Sequence, residues 1–205
     1  MSARKLSIGV LVSGQGTNLQ AIIDATSSGK IDASIKIVIS DNPNAYALKR
    51  AEDSGLPSKV LKRSAFKTKV DFEEAAVGVL SEHGVELVCL AGFMRILGKT
   101  LLRAFPMRII NIHPALLPAF PGLNAQEQAF DYGVKVTGCT VHFVDEKTDH
   151  GPIILQEAVT ILEEDTVASL KAKILKKEHE AYPKAIKLFA QGRLKIENRR
   201  VCIMP

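Results

Sequence analysis

Two polar residues stand two positions apart in an apolar run: Asn111 and His113, in Ile109-Ile110-Asn111-Ile112-His113-Pro114. In an extended strand side chains alternate faces, so residues i and i+2 point the same way. The preceding Arg108-Ile109-Ile110 reads as a buried strand, and Pro114, which has no N–H for a ladder, ends it. An amide and an imidazole therefore stand side by side where a strand meets its loop, the usual place for chemistry in an open α/β sheet. The amide can stabilise an oxyanion and the imidazole can carry a proton, so the pair suits acyl transfer to an amine. A His at a strand end is also a common structural hydrogen-bonder. Asp149 shifts the balance. It lies in Asp145-Glu146-Lys147-Thr148-Asp149-His150-Gly151-Pro152, a polar loop between two apolar strands that could bring a carboxylate to the imidazole.

The elements that must position these groups follow a regular rhythm. Residues 5–13 form a near-continuous apolar run and read as a buried parallel strand. A helix over 19–26 carries Leu19, Ile22 and Ile23 on one face, and 34–40 is the next strand. A helix over about 45–53 ends at Gly55, where a glycine after the last helical residue belongs. Residues 58–61 form a short strand, 71–83 a helix closed by Gly84, 85–91 a strongly apolar strand, and about 99–105 a helix. The alternation predicts an α/β fold: a Rossmann-like, mostly parallel twisted sheet with helices on both faces. The rhythm then changes. After a helix near 124–132, the strands 138–144 and 152–159 flank the Asp149 loop and should pair antiparallel. Asp165-Thr166-Val167 opens a long helix that Pro183 should kink or divide, and 195–203 reads as a final edge strand. No repeat or linker is visible, so residues 1–205 read as one domain with two functional halves.

Bulk properties narrow the classes. Hydrophobic content of 46% with 24% charged residues is that of a soluble globular protein. No apolar run approaches the ~20 residues of a membrane-spanning helix, and the N-terminus shows no signal-peptide core. Cys89, Cys139 and Cys202 are odd in number and lack metal-ligand spacing, so they read as reduced packing residues of a cytoplasmic protein. The net charge of +5 is concentrated in no block, and the absence of Trp leaves little for a nucleic-acid stacking platform. A small phosphorylated or polycarboxylated ligand accounts for the charge equally well.

Other motifs carry alternatives. Ser13-Gly14-Gln15-Gly16-Thr17-Asn18-Leu19 is a glycine-rich turn feeding a helix, whose free N–H groups and dipole favour an anion. Leu19 stands where the dinucleotide fingerprint needs its third glycine, which argues for a single terminal phosphate. The plainer reading is a tight turn with Thr17 or Asn18 as N-cap. Gly92-Phe93-Met94-Arg95-Ile96-Leu97-Gly98-Lys99-Thr100 imitates a P-loop but is one residue too long and too bulky to wrap phosphate. An apolar loop at a strand's carboxyl end suits a flat heteroaromatic ring, unless Phe93, Ile96 and Leu97 are simply core. His142 lies mid-strand, where a satisfied structural role is at least as common as a catalytic one. His83 and His150 read as surface residues, and Glu178 and His179 by default as a solvated helix face. No cluster argues for a metal, and no Gly-x-Ser-x-Gly elbow for a serine hydrolase.

Taken together, four segments resemble one family, the folate-dependent phosphoribosylglycinamide formyltransferases of purine synthesis. They are Val12-Ser13-Gly14-Gln15-Gly16-Thr17-Asn18-Leu19-Gln20, Leu90-Ala91-Gly92-Phe93-Met94-Arg95-Ile96-Leu97, the run from Asn111 to Pro118, and Gly138-Cys139-Thr140-Val141-His142-Phe143-Val144. The resemblance implies transfer of the formyl group of 10-formyltetrahydrofolate to the amine of glycinamide ribonucleotide, on the way to IMP. It implies a phosphate-binding N-terminal half, with Gly16, Thr17 and Asn18 on the ribose 5′-phosphate. A folate-binding and catalytic C-terminal half would follow, with Glu178 on the ribose hydroxyls. Lys69, Met94, Arg95, Ile96 and Leu97, together with Asn111 and the loop Asp145, Glu146, Lys147, Thr148 and Asp149, would hold the folate. Asn111, His113 and Asp149 would be catalytic. Asn111 and protonated His113 would stabilise the oxyanion, Asp149 would favour the imidazolium, and His113 or a water held by Asp149 would move the proton. No metal is required, and the partners are small molecules rather than nucleic acid or membrane, in a monomer or homodimer. Two positions depart from the family. Lys69 stands where the family usually has Arg and lacks the planar fork, and Ala115 replaces a common Ser. A relative using tRNA should need an added domain for which about 205 residues leave no room, a relative using water would share the same core, and a non-catalytic metabolite binder would not need the catalytic set.

Overall fold

The strands form where the sequence places β-branched and apolar residues without interruption. The computed structural model describes residues 4–205. The chain forms two compact units, Met1–Ile110 and Asn111–Pro205. In the first, β1 (Leu6–Val12), β2 (Ala33–Ser40), β3 (Ser58–Val60) and β4 (Leu87–Leu90) alternate with α1 (Thr17–Ser27), α2 (Tyr46–Asp53), α3 (Lys69–Glu82) and α4 (Lys99–Ala104), and β5 (Ile109–His113) begins. The strand order is β3-β2-β1-β4-β5. β1 pairs parallel with both β2 and β4, and β2 parallel with β3. Ile8, Val10 and Val12 of β1 and Leu87, Val88 and Cys89 of β4 are fully buried, which is why these strands read as unbroken apolar runs.

The second unit takes β5 from Asn111 onward and adds α5 (Ala125–Tyr132), β6 (Val136–Phe143), β7 (Ile153–Thr160), α6 (Val167–Ala190), β8 (Leu194–Glu197) and β9 (Arg200–Ile203). Its strand order is β5-β6-β7-β9-β8. β6 and β7 pair antiparallel, with Thr140 opposite Gln156. The fold is thus a mixed α/β sheet, mostly parallel with an antiparallel C-terminal part, as the alternation predicts; it has nine strands among the described residues. None of the described helices is long and apolar enough to cross a membrane.

Two expectations are corrected. Pro183 does not divide α6, which runs as one element of 24 residues. A capping box between Thr166 and Ser169 starts it, and Ile174, Ala181, Tyr182, Ala185 and Ile186 bury one continuous face on either side of the proline. That packing outweighs the single lost hydrogen bond. Residues 195–203 are not one edge strand but a hairpin, β8 against β9. Asn198, at φ 57°, supplies the left-handed turn residue that reverses the chain.

Gly138 in β6 faces a near neighbour. A Cβ there would collide with the Glu157 carbonyl oxygen and meet Leu116 Cδ2 at 3.0 Å. Because the obstacle is backbone, Gly138→Ala should destabilise by about 1–3 kcal/mol. A thermal melt should show a Tm lower by roughly 2–4 °C for each kcal/mol, and an unchanged Tm would refute the packing argument.

Candidate active site

A single carboxylate gathers the polar groups at the end of β5. Asn111 and His113 share a face of that strand, as their spacing requires, and the loop after β6 brings Asp149 to them. Asp149 Oδ2 accepts the Gly122 N–H at 2.8 Å and lies 3.2 Å from His113 Nδ1. Its Oδ1 accepts Asn111 Nδ2–H at 3.4 Å and lies 3.7 Å from His142 Nε2. Asn111 Nδ2 also donates toward His142 Nε2 at 3.3 Å. His142 Nδ1 donates to the Phe143 carbonyl at 2.8 Å, so Nε2 accepts from Asn111 in the neutral ring and turns a proton toward Asp149 only in the imidazolium. His142 is therefore part of the constellation and not a bystander in the core. The signal was present in the sequence as a second His on a strand next to the Asn-His strand, but spacing within one strand could not reveal it.

The protonation of His113 is set by opposing influences. Its Nε2 donates to the Phe120 carbonyl at 2.8 Å, so only a second proton, on Nδ1, also satisfies the contact with Asp149. Burial works the other way: the residue is 3% exposed, and desolvation outweighs the pull of Asp149 and of the Phe120 carbonyl. The net shift is below the ordinary imidazole value. Burial also raises Asp149, but His142, the Gly122 amide and His113 more than offset it and leave the carboxyl below its ordinary range. An imidazolium here has both N–H groups matched while its charge is poorly solvated, so its proton is readily given up.

Neighbouring loops are held by buried polar contacts. Thr140 Oγ1 donates to the Ala115 carbonyl at 2.7 Å and accepts the Leu117 N–H at 3.0 Å. Gln156 Nε2 reaches both Thr140 Oγ1 and the Leu117 carbonyl. Asp149 itself has φ 49°, a left-handed conformation that Asp tolerates better than most residues. A Cβ on Gly151 would run into the Phe143 carbonyl, so the return of this loop requires glycine. His150 Nδ1 contacts Asp145 Oδ2 at 2.7 Å, and Arg199 donates to the His150 carbonyl at 2.7 Å, which ties the loop to the β8–β9 hairpin. Glu178 is buried on α6. After burial, its charge is the next cause that pushes the Cys139 thiol up to about 12, so that cysteine is an inert packing residue.

The first unit holds two further loops. Gly16, at φ 68°, is the N-cap of α1 and makes no side-chain cap, so neither Thr17 nor Asn18 is the cap. A Cβ on Gly16 would lie 2.6 Å from Ala47 Cβ, and the Ala47 N–H donates to the Gly14 carbonyl at 3.0 Å. Arg50 Nε donates to the Gln15 carbonyl at 2.9 Å and its Nη1 to Gln20 Oε1 at 3.2 Å. The turn is thus shaped by α2, with the α1 amides left uncapped by any side chain at Gly16, which fits an anion. The loop after β4 divides cleanly: Phe93 and Leu97 are buried while Met94 and Ile96 are exposed. Ser13 Oγ accepts the Met94 N–H at 3.0 Å, and Arg95 pairs with the buried Asp41. Lys69, Phe72, Phe93, Met94, Ile96 and Leu97 line one cleft of about 340 Å³, which also includes Arg95.

The formyl transferase family model matches residues 6–186. The chain belongs to the formyl transferase family. It is 47% identical over 178 residues to the phosphoribosylglycinamide formyltransferase of Bacillus subtilis, covering 87% of this chain and 91% of that protein. It is 46% identical over 200 residues to the human trifunctional purine biosynthetic protein adenosine-3, covering 97% of this chain but only 20% of that protein's length. The crystal structure of glycinamide ribonucleotide transformylase 1 from Symbiobacterium toebii superposes with a TM-score of 0.97 at 53% identity, over 100% of this chain and 96% of that one.

Within this formyl transferase the site residues expected from the sequence fall into separate groups. Asn111, His113 and Asp149 meet directly, and Asp145, Glu146, Lys147 and Thr148 form the loop that carries Asp149. Lys69 and Met94 to Leu97 share the cleft of the first unit, where Gly16, Thr17 and Asn18 form the start of α1; Glu178 lies in the second unit. Lys69 does not precede its helix: it is the first residue of α3, because the capping box pairs Thr68 with Asp71. Among the described residues no group of three or more His, Cys, Asp or Glu is arranged to hold a metal ion.

The shifts have a definite sign. Both groups bind protons less readily when folded than when unfolded, so each contributes stability at high pH. The His113 part is lost as pH falls below the ordinary 6.5, and the Asp149 part as pH falls below 3.8. Asp149→Asn should lower the His113 pKa further, because the carboxylate is the larger of the two influences that raise it. An NMR titration of the His113 ring checks this, and a higher value in the variant would refute the arrangement.

Proposed function

We propose that this chain transfers the formyl group of 10-formyltetrahydrofolate to the amine of glycinamide ribonucleotide, giving N-formylglycinamide ribonucleotide and tetrahydrofolate in purine biosynthesis. The observation that carries the reading is the Asn111–His113–Asp149 contact set in a formyl transferase. The chemistry is balanced. A bond forms between the amine nitrogen and the formyl carbon, the bond from that carbon to the folate nitrogen breaks, and one proton passes from amine to folate.

The residues divide this work. The two Asn111 contacts, at 3.3 and 3.4 Å, are long for hydrogen bonds, so the amide can exchange one for an oxyanion at small cost. Both His113 nitrogens already face partners, so its donation to substrate replaces the Asp149 or the Phe120 contact. Asp149 holds the ring in register and favours the imidazolium, which burial makes a ready acid. The backbone amides of Gly16, Thr17 and Asn18 at the start of α1 hold the phosphate, and Glu178 the ribose hydroxyls. In the first unit the cleft at Lys69, Met94, Arg95, Ile96 and Leu97 is assigned to the folate, and in the second unit the Asp145–Asp149 loop is assigned to the pterin.

The test is a spectroscopic transfer assay offering glycinamide ribonucleotide, initiator methionyl-tRNA or water alone. Turnover should require the ribonucleotide; equal turnover with water alone would make the protein a hydrolase. His113→Ala should lower kcat by roughly 10²–10⁴-fold with a much smaller change in KM. A folded His113→Ala variant with near-normal turnover would refute the assignment.

A further inference from the structure

The loop that carries Asp149 is gripped from outside by a residue that the proposed function leaves unused. Arg199 is the second of the two residues that turn β8 into β9. The sheet fixes the place of that turn, since Arg200 pairs with Glu197 across the hairpin and with Ile153 at the start of β7. Arg199 Nη2 donates to the His150 carbonyl at 2.7 Å. Its Nη1 lies 3.1 Å from Nδ1 and 3.0 Å from Nε2 of the same residue's ring. An atom equally near both ring nitrogens lies along neither lone pair, so the guanidinium rests against the imidazole while its other arm holds the backbone. His150 Nδ1 in turn meets Asp145 Oδ2 at 2.7 Å, and Asp145 Oδ1 accepts the Lys147 N–H at 2.9 Å. Asp145 thereby closes the loop on itself, and Arg199 fastens the closed loop to the sheet.

The catalytic carboxylate needs an anchor of this kind. Only its contact with the Gly122 amide, at 2.8 Å, is short; His113 Nδ1, Asn111 Nδ2 and His142 Nε2 lie at 3.2, 3.4 and 3.7 Å. Such partners leave slack, so the backbone decides where the carboxylate stands. That backbone is left-handed at Asp149, a conformation that persists in a non-glycine residue only where the surroundings hold it. Two residues on, Gly151 packs against the Phe143 carbonyl, and the Phe143 N–H donates to the Pro152 carbonyl at 2.9 Å. His150 lies between the left-handed residue and this fixed pair, and Arg199 holds its carbonyl. We propose that Arg199 is a positioning residue for formyl transfer: by fixing the His150 peptide it sets how closely Asp149 approaches His113. The proposal rests on the formyl-transfer reading for the step that it assists. The His150 and Asp145 side chains are 42% and 32% exposed, so losing the clamp loosens the carboxylate without unfolding the loop.

An NMR titration of the His113 ring distinguishes positioning from the loss of a surface charge. His113 is faced by Asp149, His142 and the Phe120 carbonyl. Removing a nearby cation raises a histidine pKa, whereas a carboxylate that draws away lowers it. Arg199→Ala should therefore lower the His113 pKa, in the direction of Asp149→Asn and by less. On the Asp149→Asn background it should lower the value no further, because Arg199 acts through that carboxylate. In the transfer assay Arg199→Ala should lower kcat about three- to tenfold, with KM for glycinamide ribonucleotide within about twofold. Arg199→Lys can reach the carbonyl but cannot also lie on the ring, so it should fall between wild type and Arg199→Ala. Thermal melts confirm that the variants are folded. An unchanged or raised His113 pKa in Arg199→Ala, a further fall in the double variant, or an unchanged kcat would overturn the role of Arg199. The titration needs no turnover, which separates this idea from the reaction. The expected shifts in a protein that transfers no formyl group defeat the reaction alone, and normal transfer with an unshifted His113 defeats the role of Arg199 alone.

Discussion

The half-buried carboxylate of Asp149 organises everything around it. It receives the Gly122 amide, faces His113 and His142, and takes one hydrogen of Asn111. A carboxylate at 11% exposure pays heavily in lost hydration unless such partners surround it, so the loops that supply them are bound together by its charge. The Gly122 turn, the end of β5 and the end of β6 all converge on two oxygen atoms. The left-handed backbone at Asp149 is held by this convergence, since removing any partner leaves the others facing an under-solvated charge.

Three loops of the structure follow the carboxyl ends of strands. The glycine turn follows β1, the Met94 loop follows β4, and the Phe120–Gly122 turn follows β5. Open α/β sheets place their chemistry there because the strand ends leave crevices that helices do not cover. Each loop is stiffened differently: one by α2 through Ala47 and Arg50, one by Ser13 and Asp41, one by Thr140 and Gln156. The rigidity is built from residues outside the loops themselves.

Much of this was legible in the sequence because it depends on local periodicity. Alternation of faces placed Asn111 beside His113, and unbroken apolar runs marked β1 and β4. What escaped depended on contacts between elements distant in sequence. His142 could be weighed only as a residue within its own strand, and its meaning came from Asn111 and Asp149. Pro183 was read by its local cost, whereas buried neighbours on both sides decide that α6 continues. The hairpin at Asn198 was hidden because its turn is only two residues long and contains neither Gly nor Pro.

Glu73 has a reach beyond its own helix. This buried residue of α3 accepts the N–H of Gly98 and, at 3.4 Å, that of Leu101, and so closes the open end of α4. A helix of six residues has little autonomy, and its first turn is stabilised by a side chain that comes from a different helix. The loop between β4 and α4 is therefore pinned at its exit by a group it does not encode. Exposed positions such as Met94 and Ile96 can drift without unravelling what lies downstream. The exposed lining of the cleft and the integrity of the scaffold therefore rest, at this edge of the protein, on separate residues, which gives the cleft room to diversify.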